Sequence, residues 1–239
     1  MGGFANNAPI VTDGLVFYVD AGNSNSYDSV SGGTTWSDLV GGNDGTLTNM
    51  DTNPANAGYT YDSANGGSIV FDGVDDYVDA NYTGETSFPI TLSCWVKFDA
   101  VSSIPTVMAI SDASTDDQFF GMGVRNDSGT YVWRIYNYNT SFVAASSTGA
   151  VSTGVWYYIT AVFTSNTSKK LYIDGVEVCE LTTNTVIPTG LDKIAVGRFT
   201  RLTPGGYTDG NIACASVYNK ALSSTEIIQN YNALKNRFI

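Results

Sequence analysis

The sequence contains no histidine, which removes the side chain most often used as a general base and as a ligand of transition metals. Basic residues are also scarce. Eleven Lys and Arg stand against 23 Asp and Glu, so the formal net charge is −12. A surface this acidic repels phosphate groups, and we therefore expect neither nucleic acids nor anionic membrane surfaces among its partners.

Cysteine and long apolar runs are scarce as well. The three cysteines, Cys94, Cys179 and Cys214, are an odd number without a CxxC pair, which argues against a disulfide framework. We expect them to be reduced and to act as small buried hydrophobic residues. No run of 18 apolar residues and no signal-peptide pattern occurs, so we predict neither a transmembrane helix nor a cleaved export signal.

What the sequence does contain indicates a globular β protein. It has 25 glycines, 15 tyrosines and 43% hydrophobic residues, a composition that suits a packed core with many turns. A chain of 239 residues is long enough for one large all-β domain. We predict an N-terminal arm over residues 1–12 and a single domain over residues 13–239.

The segment 154–178 is the most informative part of the chain. Its first half, Gly154-Val-Trp-Tyr-Tyr-Ile-Thr-Ala-Val-Phe-Thr164, is largely apolar at both odd and even positions. This pattern predicts a central strand that is covered on both faces. The polar run 165–170 and the pair Asp174-Gly175 are turn signals, so we predict a three-strand meander.

Turn signals separate further strand-like segments. We predict a hairpin over residues 67–79 that turns at Asp72-Gly73. The region 21–66 is rich in Gly, Asn, Ser and Thr, and we expect it to fold over one end of the sheets with Trp36 and Leu39 as anchors. The remaining predicted strands cover residues 14–20, 90–98, 104–111, 118–125, 130–138, 141–146, 191–198 and 210–218.

The C-terminal tail changes from strand to helix pattern. Ser223 and Glu226 have the spacing of a capping box, in which each side chain accepts a hydrogen bond from the other residue's backbone N–H. We predict a helix over residues 224–235 with one apolar face, formed by Ile227, Ile228, Tyr231 and Leu234.

Several segments resemble laminin-G-like domains, which are concanavalin-A-like jelly-roll sandwiches. The resemblance rests on Trp156-Tyr-Tyr-Ile-Thr-Ala-Val-Phe163, Leu171-Tyr-Ile-Asp-Gly-Val176, Thr35-Trp-Ser-Asp-Leu39, residues 67–79 and Asn219-Lys-Ala-Leu-Ser223. It extends from about residue 13 to residue 238. Those domains usually carry His where this chain has Tyr157. The resemblance implies an all-β fold with two antiparallel sheets and a C-terminal helix packed against them.

Some relatives with this sandwich are glycoside hydrolases, whose acids alternate on one strand as E-x-D-x-E. This chain lacks that motif and has only four glutamates, Glu85, Glu177, Glu180 and Glu226. Glu177 and Glu180 are three residues apart, which predicts opposite faces of a strand. The pattern Gly121-Met-Gly123 is too short for a phosphate-binding loop. We therefore predict no catalytic residue, no cofactor and no enzymatic activity.

Two kinds of binding site remain. Laminin-G-like domains often hold Ca²⁺ through aspartates at the rim of the sandwich, and oxygen ligands suit this cation. The alternative for these aspartates is that they are solvated turn residues. The candidates are Asp72, Asp75, Asp76 and Asp79, then Asp112, Asp116 and Asp117, and finally Asp209.

A sugar-binding surface is the second kind of site. Alternation along residues 130–138 places Arg134, Tyr136 and Tyr138 on one side of the strand. The opposite side carries Tyr131, Trp133 and Ile135. An exposed stripe of rings and arginine suits contact with a sugar or a protein, and the alternative is packing against neighbouring strands. The loop 198–209 offers a second such surface, through Arg198, Phe199, Arg201 and Tyr207.

The resemblance also implies a biological setting. Such domains are usually extracellular, yet the chain has no export signal, and its pattern is similar to laminin-G-like proteins of tailed phages. We therefore expect a non-catalytic virion structural protein, made in the host cytoplasm and displayed on a capsid or tail. It would form an oligomer or lattice with other virion proteins and contact host-surface glycans. The alternatives are an extracellular bacterial carbohydrate-binding module and a self-assembling surface-layer protein.

Overall fold

Sixteen strands and one α-helix form the regular structure of the residues that the computed structural model describes, namely 8–53, 55–56, 60–82, 84, 87–101, 104–183 and 186–239. The helix α1 spans Ser224–Leu234, and short 3-10 turns cover Ala64–Gly66 and Lys235–Arg237. The strands are β1 (Leu15–Asp20), β2 (Thr35–Trp36), β3 (Gly45–Thr48), β4 (Tyr61–Asp62), β5 (Ser68–Asp72), β6 (Tyr77–Asn81), β7 (Ile90–Ala100), β8 (Thr106–Ser111), β9 (Phe119–Asp127), β10 (Thr130–Asn139), β11 (Ser141–Ala150), β12 (Trp156–Ser165), β13 (Ser168–Ile173), β14 (Val176–Leu181), β15 (Lys193–Val196) and β16 (Asp209–Tyr218).

These strands form two antiparallel sheets of eight strands each. Sheet A has the order β14-β13-β12-β7-β16-β5-β4, and β1 pairs with the second half of β16. Sheet B has the order β11-β10-β9-β8-β15-β6-β3-β2. The two sheets pack face to face around one apolar core. The predicted all-β sandwich of two antiparallel sheets with a C-terminal helix is therefore confirmed.

The central strand β12 is covered on both faces, as its sequence predicted. Phe163 packs in the core between the sheets, whereas Trp156 and Tyr158 belong to a separate apolar cluster on the other side. Asp174 and Gly175 have φ angles of 52° and 81°, the left-handed conformation of a tight hairpin turn. The predicted three-strand meander is confirmed and consists of β12, β13 and β14.

The second apolar cluster lies on the outer face of sheet A, beneath α1. The ring of Trp95 is fully buried and lies 4.3 Å from the Phe238 ring, 5.6 Å from the Tyr231 ring and 5.4 Å from the Tyr158 ring, measured between centroids. Large aromatic side chains bury enough apolar surface to dominate the packing energy of such a layer. The central strands of sheet A are therefore buried on both faces.

The helix begins as predicted, because the Ser223 hydroxyl accepts the Glu226 N–H and the Glu226 carboxylate accepts the Ser223 N–H. The prediction of the apolar face of α1 was only partly correct. Ile227 is buried, but Ile228 is 45% exposed, and the second buried residue of α1 is Asn230.

Asn230 is buried because it joins three elements. Its side-chain oxygen accepts the Val11 N–H at 2.7 Å, and its amide nitrogen donates to the Tyr218 hydroxyl at 3.0 Å. The Tyr218 hydroxyl in turn donates to the Val11 carbonyl at 3.0 Å. Buried backbone groups outside a sheet need such partners, and a polar side chain on the helix supplies them.

Residues 8–12 of the predicted arm lie against this end of the sandwich. Val11 is buried, and the Gln229 amide donates to the Pro9 carbonyl at 2.7 Å. Residues 1–7 lie outside the described residues, so an arm over that segment stays a prediction.

The predicted hairpin over residues 67–79 is wrong. β5 pairs with β4 and β16 in sheet A, whereas β6 pairs with β3 and β15 in sheet B, so the turn between them connects the two sheets. Asp72 Oδ1 accepts the N–H groups of Val74 and Asp75 at 2.8 and 3.2 Å. Asp76 Oδ2 accepts the Asp72 N–H at 3.0 Å. These side-chain bonds stabilise a wider turn than a two-residue hairpin allows.

The described part of region 21–66 adds strands to both sheets as well as covering an end of the sandwich. β2 and β3 extend sheet B, and β4 extends sheet A. Trp36 is fully buried, as predicted for an anchor, and Leu39 is half-buried.

The cysteines are free thiols. Cys94 and Cys214 are buried, as predicted, whereas Cys179 is half-buried. No helix among the described residues is both long enough and apolar enough to cross a membrane.

The buried contacts of Asn230 can be tested by replacing it with alanine. The Val11 N–H then loses its acceptor, and we expect the free energy of unfolding to fall by about 1–3 kcal/mol in urea denaturation. Asn236→Ala, which changes an exposed asparagine of the following 3-10 turn, should cost less than about 0.5 kcal/mol. Equal losses in the two variants would contradict the role given to Asn230.

Candidate functional site

The two surfaces predicted as separate contact sites form one site. β10 places Tyr136 on the outer face of sheet B, and the loop 197–208 folds over the same face. The ring of Phe199 lies 5.3 Å from the Tyr136 ring and 4.7 Å from the Phe119 ring of β9. We call this surface the aromatic face, and it comprises Phe119, Arg134, Tyr136, Tyr138, Phe142, Phe199 and Arg201.

Alternation along β10 produces this arrangement, as predicted. Trp133 and Ile135 are buried in the core between the sheets, with Tyr131 packed against them. Arg134 and Tyr136 therefore point outward from sheet B.

The ring predicted at the centre of the exposed stripe is itself covered. Tyr136 is only 1% exposed, because Phe142 and Phe199 lie against it on two sides. Its hydroxyl lies 3.0 Å from Thr106 Oγ1, and burial raises the pKa of Tyr136 to about 12, so the hydroxyl stays protonated. Tyr136 is the floor of the aromatic face. The most exposed ring of the aromatic face is that of Phe142 in β11, which is 47% exposed, whereas Tyr138 and Phe199 are half-buried.

Two glycines of β9 allow close contacts on this face, Gly121 with the Tyr136 ring and Gly123 with the backbone carbonyl of Pro105. Gly121 and Gly123 pair with Tyr136 and Arg134 across the sheet. A Cβ atom on Gly121 would come within 2.4 Å of Tyr136 Cε2, so the tyrosine ring lies directly across the bare strand. The pattern Gly121-Met-Gly123 is thus the sequence signal that β9 carries no side chain on its outer face at these two positions, and this signal was not recognised from the sequence.

A buried ion pair holds the loop 197–208 on sheet B. Arg198 is 7% exposed, and its Nη2 lies 3.0 Å from Asp79 Oδ2. The guanidinium carbon lies 3.2 Å from the centre of the Tyr77 ring, and the Thr200 hydroxyl also donates to Asp79. Through its contacts with Arg198 and Thr200, Asp79 positions the loop that carries Phe199.

An open depression of about 500 Å³ lies beside the aromatic face. It is lined by Ile104, Phe199, Arg201 and Gly206, and no carboxylate is among these residues. Ile104 is 50% exposed, and the Arg201 guanidinium carbon lies 5.3 Å from the centre of the Phe199 ring. Exposed apolar surface beside a few fixed hydrogen-bond donors is the usual make-up of a small-ligand site.

Among the described residues, one group of carboxylates is close enough together to hold a metal ion. The ligand oxygens of Asp72, Asp75 and Asp76, in the turn between β5 and β6, lie within 4.8 Å of one another. Asp79 does not belong to this group, because it is bound to Arg198. Asp209 lies next to Asp72 in the pairing of β16 with β5.

This group fits a hard cation such as Ca²⁺, which takes oxygen ligands. Burial, with the charges of Asp72 and Asp75, raises the pKa of Asp76 to about 6. No ion pair with Lys or Arg compensates these three carboxylates within the described part of the chain. A bound cation would relieve that repulsion.

The second predicted group of aspartates does not converge within the described residues. Asp112 accepts the Ser114 N–H and hydroxyl at 2.8 and 2.6 Å. Asp116 accepts the Thr203 N–H at 2.7 Å and its hydroxyl at 2.9 Å, so it anchors the far end of the loop 197–208.

Glu177 and Glu180 share one side of β14, so their predicted placement on opposite faces was wrong. Both approach Lys170, at 3.0 and 3.6 Å. The register shifts between Leu171 and Tyr172, which leaves one extra residue in β14, and such a bulge returns residues three apart to the same face. The pKa of Glu177 is lowered, mainly by its hydrogen bond to Lys170, and the pKa of Glu226 is lowered by Lys220 and Ser223.

Comparisons with known proteins agree with this fold. A family model described as the concanavalin A-like lectin/glucanases superfamily matches residues 71–228. Domain 4 of AbnA, an extracellular GH43 arabinanase from Geobacillus stearothermophilus, solved in complex with arabinotriose, has a TM-score of 0.67 and 19% identity over 91% of this chain and 98% of that chain. A Trypanosoma rangeli sialidase mutant displaying trans-sialidase activity has a TM-score of 0.65 and 15% identity over 97% of this chain.

The chain spans only 35% of the sialidase, and at these identities both likenesses concern the fold alone. No curated protein matches the sequence. The family match confirms the resemblance noted from the sequence motifs, and the sandwich is of the carbohydrate-binding lectin and glucanase type.

The raised pKa of Asp76 predicts that the stability of the folded protein depends on pH. Its pKa of about 6 in the folded protein lies above the value of about 3.9 for an unperturbed aspartate. Its contribution to stability is therefore complete below about pH 4 and is lost as the pH rises through about 6. We expect the melting temperature of the wild type to fall relative to Asp76→Asn across this range. A constant difference between the two would contradict the raised pKa.

Calcium provides a second readout for the same group. Millimolar Ca²⁺ at pH 7 should raise the melting temperature of the wild type and of the control Asp112→Asn, and should not affect Asp76→Asn. A wild type that responds to neither Ca²⁺ nor EDTA would exclude the ion.

Proposed function

Because this chain belongs to the concanavalin A-like lectin/glucanases superfamily, we propose that it is a non-catalytic carbohydrate-binding domain that contacts its glycan through the aromatic face. The observation that carries the proposal is the exposed ring of Phe142 on the same face of sheet B as a depression lined by Phe199 and Arg201. The rings of Phe142 and Phe199 both lie against the Tyr136 ring. Aromatic rings pack against the apolar face of a sugar, and arginine donates hydrogen bonds to its oxygens.

The arabinanase domain supports this proposal. The likeness covers 98% of that domain, and the domain is solved with an oligosaccharide, arabinotriose. A separate domain of this fold and size can therefore hold a glycan within a larger glycosidase. The present chain has the same architecture and an exposed aromatic surface.

The acidic residues support binding without hydrolysis. Most glycoside hydrolases cleave the glycosidic bond with two carboxyl groups that flank it, one of which must be protonated. Asp79 and Asp116, which contact the loop 197–208, are engaged with Arg198 and Thr203. Glu177 and Glu180 share Lys170 at the edge of sheet A.

Phe142→Ala tests the proposal directly. Removal of the exposed ring should weaken binding to the glycans that the wild type selects on an array by about 5- to 50-fold, because one stacking contact is lost, and titration calorimetry would measure this. Ile228→Ala is a matched control, since Ile228 is equally exposed but lies on α1, outside sheet A.

The wild type should leave the selected glycans uncleaved during prolonged incubation. Equal losses of affinity in the two variants would place the binding site elsewhere. Release of reducing ends that disappears in an Asp→Asn variant would show that the chain is an enzyme.

Display on a phage virion is the more specific form of this proposal. It rests on the similarity of the sequence pattern to phage proteins, whereas the structural neighbours described above belong to glycosidases. In this form the domain binds other virion proteins, sits in an oligomer or lattice on the particle surface and touches host glycans. Mass spectrometry of purified virions should then detect the chain in multiple copies. Its presence only in secreted bacterial fractions would instead favour an extracellular carbohydrate-binding module.

A further inference from the structure

Arg134 differs from the other arginines of the chain. The chain has five arginines, all within the described residues, and four of them pair with an aspartate. Those pairs are Arg125 with Asp127, Arg198 with Asp79, Arg201 with Asp116 and Arg237 with Asp20. Arg134 has neither an ion pair nor a hydrogen-bond acceptor in the described part of the chain, and its Nε–H is buried without a partner.

The guanidinium of Arg134 is nevertheless held in place. Its central carbon lies 4.8 Å from the centre of the Tyr136 ring and 5.0 Å from the centre of the Phe142 ring. Burial and the charge of Arg125 lower the pKa of Arg134, although an arginine remains charged at neutral pH. A partly desolvated cation without an anion costs free energy, and an arriving anion would recover part of this cost.

We propose that Arg134 binds the carboxylate of an acidic sugar, so that the glycan recognised by the aromatic face contains uronic acid. This inference rests on the proposed function and names the class of glycan. A guanidinium presents its donors in a planar fork that matches the two oxygens of a carboxylate. The rings of Tyr136 and Phe142 hold that fork beside the exposed surface on which a sugar ring would pack.

The charge of the whole protein favours a sparsely charged ligand. With a net charge of −12, the chain repels dense polyanions such as nucleic acids or heavily sulfated glycans. One unpaired guanidinium beside two aromatic rings instead matches one carboxylate on an otherwise neutral sugar ring. Every acidic residue except Glu85 lies within the described part of the chain, and none of those described pairs with Arg134.

The test compares each acidic glycan with a neutral copy of itself. The probes are oligosaccharides of galacturonic acid and of mannuronic acid, each with its carboxyl-reduced counterpart, titrated into the wild-type protein by calorimetry. We expect at least one acidic probe to bind about 10-fold or more tightly than its reduced form, and its affinity to fall as salt is added.

Arg134→Gln should reduce the affinity for that acidic probe by about 10- to 100-fold and change the affinity for the reduced probe by less than about threefold. Arg134→Lys should retain an intermediate affinity, because it keeps the charge but loses the fork. Arg125→Gln is the matched control, since it removes an arginine of the neighbouring strand β9 that is already paired. Glu85→Gln should also leave the affinity unchanged, and melting temperatures would verify that each variant is folded.

The outcomes separate this inference from the proposed function. Equal affinity for acidic and reduced probes, or an Arg134→Gln variant that still prefers the acidic probe, overturns the inference. Binding of neutral glycans that depends on Phe142 would in that case leave the proposed function intact. A wild type that binds none of the uronic acid probes also overturns the inference, and a silent glycan array would overturn the proposed function as well.

Discussion

Burial of the centre of sheet A on both faces is the constraint on which the rest of the structure depends. Its central strands are apolar at odd and even positions, so one face packs against sheet B and the other needs a separate cover. The helix α1 and residues near both termini supply that cover, with Trp95 stacked against Phe238 at its centre. The outer face of sheet B is instead covered in part by the loop 197–208 and carries the exposed ring of Phe142.

That outer face is organised by two arginines in different environments. Arg198 is buried with Asp79 and Tyr77, and a buried pair of this kind is stable only when its donors and acceptors are satisfied. It fixes the loop that brings Phe199 over the sheet. Arg134 lies against the rings of Tyr136 and Phe142 without an acidic partner among the described residues. Arg198 therefore holds the loop of the aromatic face in place, and Arg134 gives that face a positive charge that no described acidic residue pairs with.

Much of the fold follows from local pattern. The strands, the meander and the capping box of α1 were predictable because alternation, Asp-Gly turns and capping act over a few residues. The errors share one cause, which is dependence on distant partners. The turn at Asp72 connects two sheets because β5 and β6 pair with different strands. Glu177 and Glu180 share a face because β14 bulges against β13.

The aromatic face was likewise predictable only where it depends on local pattern. Alternation along β10 was enough to state that Arg134, Tyr136 and Tyr138 share one side of a strand, because successive side chains in any strand point to opposite faces. Which of them reach solvent depended on β11 and on the loop 197–208, since Phe142 and Phe199 cover Tyr136. Side-chain direction is a property of the local backbone, whereas exposure and charge pairing depend on segments that meet only after the sheets have packed.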